Sequence, residues 1–117
     1  MQGRVAMSTQ ESEKRSTIYS TAGGLMTDEV GAVTGDLEIV TRVATERLDV
    51  SVRYAGADEW YTVTGSPVSL SAAGYYTPVD LHERVVSHLS KPGPAVNGNE
   101  EPVSLEGLSL TRSRWTL

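Results

Sequence analysis

The side chains in this chain with the widest chemical range are His82, His88 and the run Asp58-Glu59-Trp60-Tyr61. His82-Glu83 followed by His88 has the outline of a zinc-protease helix, where two histidines four positions apart hold the metal and the glutamate acts as base. Here the second histidine would have to stand at position 86, which is Val86. At roughly 100° per helical residue, His82 and His88 point about 240° apart and cannot share one ion. Exposed, unliganded histidines are the expectation, with no metal site.

Asp58 and Glu59 are adjacent, and adjacent strand residues face opposite sides. Glycosidase carboxylates must instead flank one bond across a cleft. Turn solvation accounts for Asp58. No serine lies in Gly-x-Ser-x-Gly, and none of Gly23-Gly24, Gly65 or Gly98 is followed by the Gly-Lys-Ser/Thr of a phosphate loop. Neither a catalytic residue nor a cofactor is assigned.

Trp60 is of a different kind. In the strand register argued below it falls on the polar sheet face beside Arg53, with Glu38 beyond Arg53 on the preceding strand. A cation–π contact and an ion pair would account for all three, each worth about 0.5–1 kcal/mol when exposed. Trp and Arg are also the usual anchors of protein interfaces. Trp60, Arg53 and Val40 are therefore the candidate centre of a binding surface. Tyr75 and Trp115 are further candidates: Tyr75 adjoins Tyr76, and Trp115 sits in an Arg-containing terminal stretch of a make-up that docks into grooves or onto sheet edges.

These residues depend on a β-meander for their placement. Leu37, Ile39, Thr41 and Val43 alternate with Glu38, Val40, Arg42 and Ala44, and Leu48, Val50, Val52 and Tyr54 alternate with Asp49, Ser51 and Arg53. A loop at Thr45-Glu46 pairs Val43 with Leu48, Thr41 with Val50, Ile39 with Val52 and Leu37 with Tyr54. Every pair then falls on one face, which a slip of one residue would destroy. Gly56-Ala57 suits a second tight loop, pairing Tyr54 with Glu59, Val52 with Tyr61 and Val50 with Val63. A short fourth strand, Pro67 to Leu70, would set Val68 against Val63 and Leu70 against Tyr61, at an edge because Pro67 has no amide hydrogen.

An amphipathic helix from Thr77 to Lys91 supplies a cover for the apolar face. Thr77 is a good N-cap, Pro78 suits the first turn, Asp80 completes a capping box and Tyr76 can staple against Leu81. Leu81, Val85 and Leu89 form a stripe with Val86 beside it. The expected class is α+β: a small antiparallel β-meander of three or four strands packed against one C-terminal helix, over residues 36–91. Residues 1–35 read as a flexible arm, within which Met26 is a possible physiological start. Residues 92–117 read as a linker, rich in Pro and Gly over 92–102, and a tail whose 103–110 stretch could add one strand.

Composition limits function further. The net charge is −5, with eight acids against five bases over 36–91 and only two lysines, Lys14 and Lys91. A phosphate-binding domain normally shows a basic stripe, so nucleic acid is disfavoured. Three antiparallel strands before a helix also occur in double-stranded RNA-binding domains, but the first helix and basic loop of that family have no counterpart here. The absence of cysteine points to a reducing compartment, the cytoplasm, and there is neither an apolar run of signal-peptide length at the start nor a membrane-spanning one anywhere. The reading that follows is a small non-catalytic interaction or accessory module that binds a protein partner, or itself, through the polar sheet face, the edge strand or the tails. The alternative is a small-molecule-binding domain or an enzyme with a site shared between subunits, with a cavity under the helix rimmed by Tyr54, Tyr61 and His82.

Overall fold

The structure is a computed structural model, described over residues 12–70, 76–108 and 110. Its centre is the antiparallel pair β4 (Asp36–Ala44) and β5 (Arg47–Tyr54), joined through Thr45 and Glu46. The register sets Val43 opposite Leu48, Thr41 opposite Val50, Ile39 opposite Val52 and Leu37 opposite Tyr54, as the alternation requires. Leu37, Ile39, Thr41, Leu48, Val50 and Val52 are fully buried on one face. Thr-Glu is a poor turn pair, and the cost is visible in Glu46, which is held at φ 55°.

The next turn is closed by Ala57 N–H donating to the Tyr54 carbonyl, so it is centred on Ala55 and Gly56 rather than Gly56 and Ala57. The register is nonetheless the expected one: β6 (Tyr61–Thr62) pairs Val52 with Tyr61, and Val63 N–H donates to the Val50 carbonyl. Glu59, by contrast, lies outside the strand. The fourth strand, β7 (Val68–Ser69), pairs with β5 instead of β6, setting Val68 against Leu48 and Ser69 against Arg47. Because β6 covers only Ser51 and Val52, the Arg47–Leu48 end of β5 is left open, and β7 fills it.

Residues 13–33, expected as an arm, build strands. β1 (Glu13–Tyr19) pairs along β4 from Glu13 against Arg42 to Tyr19 against Asp36. β2 (Leu25–Thr27) and β3 (Gly31–Val33) form a hairpin whose Leu25 and Val33 are buried. The sheet order is β1-β4-β5-β6, with β7 also on β5. A chain starting at Met26 would lack β1 and Leu25.

The helix α1 (Pro78–Leu89) carries both halves of the capping box between Thr77 and Asp80, and Leu81, Val85 and Leu89 are buried. The stretch expected as a linker is also integrated. β8 (Ala95–Val96) and β9 (Asn99–Glu100) form a hairpin around Asn97 and Gly98, both at positive φ. Asn-Gly is the favoured pair for such a turn, and the prolines lie outside it. Beyond the hairpin, Val103 exchanges hydrogen bonds with Gly24 and Met26, Leu105 N–H donates to the Thr64 carbonyl, and Val103, Leu105 and Leu110 join the core. These residues make a bridge to β2 rather than a full strand, since Gly107 turns the chain at φ 86°.

Candidate functional site

The strand pleat sends Glu13, Arg15 and Thr17 of β1, Glu38, Val40 and Arg42 of β4, and Asp49, Ser51 and Arg53 of β5 to the face opposite the core. The register aligns them in rows: Thr17, Glu38 and Arg53; Arg15, Val40 and Ser51; Glu13, Arg42 and Asp49. Opposite charges thus stand next to one another. Arg53 Nε donates to Glu38 at 2.6 Å, Arg15 reaches Glu38 at 3.3 Å and Glu13 at 3.5 Å, and Arg42 donates to Glu13 at 2.9 Å. The Arg53 hydrogen bond holds the Glu38 carboxyl below its ordinary range, and Arg42 does the same for Glu13.

Trp60 lies over this ladder. The Arg53 Cζ is 4.5 Å from its ring centroid and the Arg15 Cζ 5.6 Å, while the residue remains 36% exposed. Between Trp60, Arg15, Arg42 and Ser51 opens a cleft of about 250 Å³ with Val40 in its lining. Val40 is only 3% exposed although it lies on the outer face. The structure therefore brings Trp60, Arg53 and Val40 together, whereas Tyr75 and Trp115 fall outside the described residues. Arg15, Arg42 and Glu13 were not foreseen. Their signal was the alternation of Lys14, Ser16 and Ile18 with Arg15, Thr17 and Tyr19, which is faint because both sets are largely polar.

A second constellation lies on the other side of the sheet. Ser16 Oγ is 2.6 Å from His82 Nε2, and Thr41 Oγ1 is 2.8 Å from His82 Nδ1. His82 is 7% exposed, against the expectation of a solvent-facing histidine, and burial pushes its pKa below the usual value. A serine hydroxyl on a histidine is the first contact of a nucleophilic pair. Here the third partner is a threonine hydroxyl, which brings no negative charge to an imidazolium. The arrangement ties α1 to β1 and β4. His88 faces elsewhere, its Nε2 donating to the Ser104 carbonyl at 2.9 Å.

Comparison with models of known protein families, with curated proteins and with solved structures gives no match. Function must therefore be read from the geometry alone. Among the described residues no three histidine, aspartate or glutamate side chains gather as a metal site, and no helix is long and apolar enough to cross a membrane. Tyr54, Tyr61 and His82 do not rim a common cleft: Tyr54 is on the surface, Tyr61 donates to Glu59, and His82 is buried under the helix. A larger, open groove of about 650 Å³ follows α1, lined by Asp80 and Glu83 as well as Arg84 and Lys91. Asp80 there is committed to the helix cap, and Arg84 lies over Tyr76 at 4.5 Å.

Proposed function

We propose that this protein is a small non-catalytic interaction module that binds a protein partner, or a second copy of itself, through the outer sheet face centred on Trp60, Arg53 and Val40. The observation that carries the reading is the half-open Trp60, braced by Arg15 and Arg53 and bordering a cleft with a buried Val40 in its lining. A large aromatic whose orientation is already fixed loses little entropy on binding, and tryptophan and arginine carry a disproportionate share of interface energy. The ion ladder beneath surrounds that centre with polar groups, as the rim of an interface requires. An absence of cysteine suits a cytoplasmic setting for such a module.

The test compares full-length protein with Trp60→Ala and Arg53→Ala, each matched to the parent by circular dichroism, in affinity purification and in light scattering. A partner recovered in proportion to the parent and lost from both variants is expected, or a dimer that both variants dissociate. Equal recovery and an unchanged mass across all three would refute the surface.

A further inference from the structure

We infer that the cleft beside Trp60 recognises a partner segment by one carboxylate side chain set next to an apolar one, an inference that rests on the outer face being the partner surface. Among the described residues the cleft is lined by Arg15, Val40, Arg42, Ser51 and Trp60, so its polar lining there consists of donors and a hydroxyl, with no carboxylate. Glu13 and Glu38 hold the guanidinium groups in place without lining the cleft. A guanidinium carries five N–H donors. Among the described residues Arg15 engages two of them, one on Glu38 and one on Glu13, and Arg42 engages Nε and one terminal nitrogen, both on Glu13. Both side chains are nearly half exposed, at 48% and 47%. Donors remain on two cations already fixed in direction, which is the arrangement that favours an incoming carboxylate over a neutral acceptor.

Size and charge narrow the occupant. At about 250 Å³ the cleft is smaller than the roughly 300–1,000 Å³ typical of small-molecule sites, and suits one or two side chains. The Trp60 ring, 36% exposed, offers the apolar contact for the stem of the acid or for its neighbour, with the buried Val40 in the lining beside it. A nucleic-acid strand matches the arginines equally well at one phosphate, but its continuing backbone would pass Glu13, Glu38 and Asp49 on a chain of net charge −5. A single carboxylate avoids that repulsion.

The experiment titrates isotope-labelled full-length protein with a capped pentapeptide holding one glutamate between two leucines, and with its glutamine counterpart. The Trp60 indole N–H resonance is followed, distinguished from that of Trp115 by Trp60→Phe. Saturable movement of the Trp60 signal is expected, with binding about tenfold weaker for the glutamine peptide or for Arg42→Gln, the usual margin of a charge-assisted hydrogen bond over a neutral one. Equal binding of the two peptides, no movement of the signal at millimolar peptide, or preference for a single-stranded oligouridylate would overturn it. If the peptides fail but Trp60→Ala still releases the captured partner, the surface stands and carboxylate recognition falls. If both fail, the surface falls too.

Discussion

Arg53 stands over Trp60, its Cζ 4.5 Å from the ring centroid, while its Nε donates to Glu38 at 2.6 Å. One guanidinium thereby braces the aromatic ring and joins β5 to β4. A double-mutant cycle on Trp60→Ala and Arg53→Ala should give a coupling of about 0.5–1 kcal/mol by urea denaturation, the range of an exposed cation–π contact. A coupling of zero would mean that the contact does not hold the ring in solution.

Acid should destabilise the fold in two stages. Burial lowers the pKa of His82 below its ordinary 6.5, the Lys14 charge acting the same way and that of Glu83 opposing it, so the unfolded chain takes up a proton before the folded one does. Stability is complete above about pH 6.5 and falls as the pH drops toward the folded value of His82. The carboxyls of Glu13, Glu38 and Glu100 are lowered from 4.5, mainly by Arg42, by Arg53 and by the Gly23 amide respectively, so their contribution is present above that value and is lost as the pH falls through their folded pKa values. His82→Gln should remove the first decline from a stability profile and leave the second.

The hydroxyl contacts of His82 have their own test. Both hydroxyls can donate or accept, so neutral His82 is satisfied at both nitrogens by Ser16 and Thr41. Thr41→Val keeps the shape and strands one buried nitrogen, which should cost about 1–3 kcal/mol in chemical denaturation. A cost near zero would indicate that water reaches the ring.

Two backbone positions give opposite signs. Glu46 pays for a left-handed conformation at φ 55°, and Glu46→Asn should raise stability by up to about 1 kcal/mol. Gly23→Ala and Gly93→Ala should each lower it by about 1–3 kcal/mol or more, because a β-carbon at either position would run into the Glu101 carbonyl. Thermal melts of the three variants check both signs, and the glycine results measure how firmly the β8–β9 region is held against the core.

The sequence was most readable where one face is apolar and the other polar. Leu37 to Ala44 and Leu48 to Tyr54 state their register through alternation, and that register carries Arg53 to Glu38. β1 was hidden because its inward residues include Lys14 and Ser16, the latter facing His82 rather than an apolar core, so no hydrophobic period marks it. With β1 went Arg15 and Glu13, and with them every ion pair of the ladder except Arg53–Glu38. The hairpin at Asn97-Gly98 was obscured by the neighbouring prolines, although its turn pair was present. The pairing of β7 depends on the length at which β6 ends, a tertiary property that no local pattern of Pro67 to Leu70 encodes.

The most direct measurement of the outer face as a partner surface is photo-cross-linking in cells from a benzophenone amino acid placed at Thr17, exposed on the outer face in the row of Glu38 and Arg53 with Trp60 left intact, and with the same probe at Val79 on the exposed side of α1 as reference. Discrete protein adducts are expected from position 17 and not from position 79. Adducts from position 79 alone, or an identical pattern from both, would contradict the assignment of the Trp60 face.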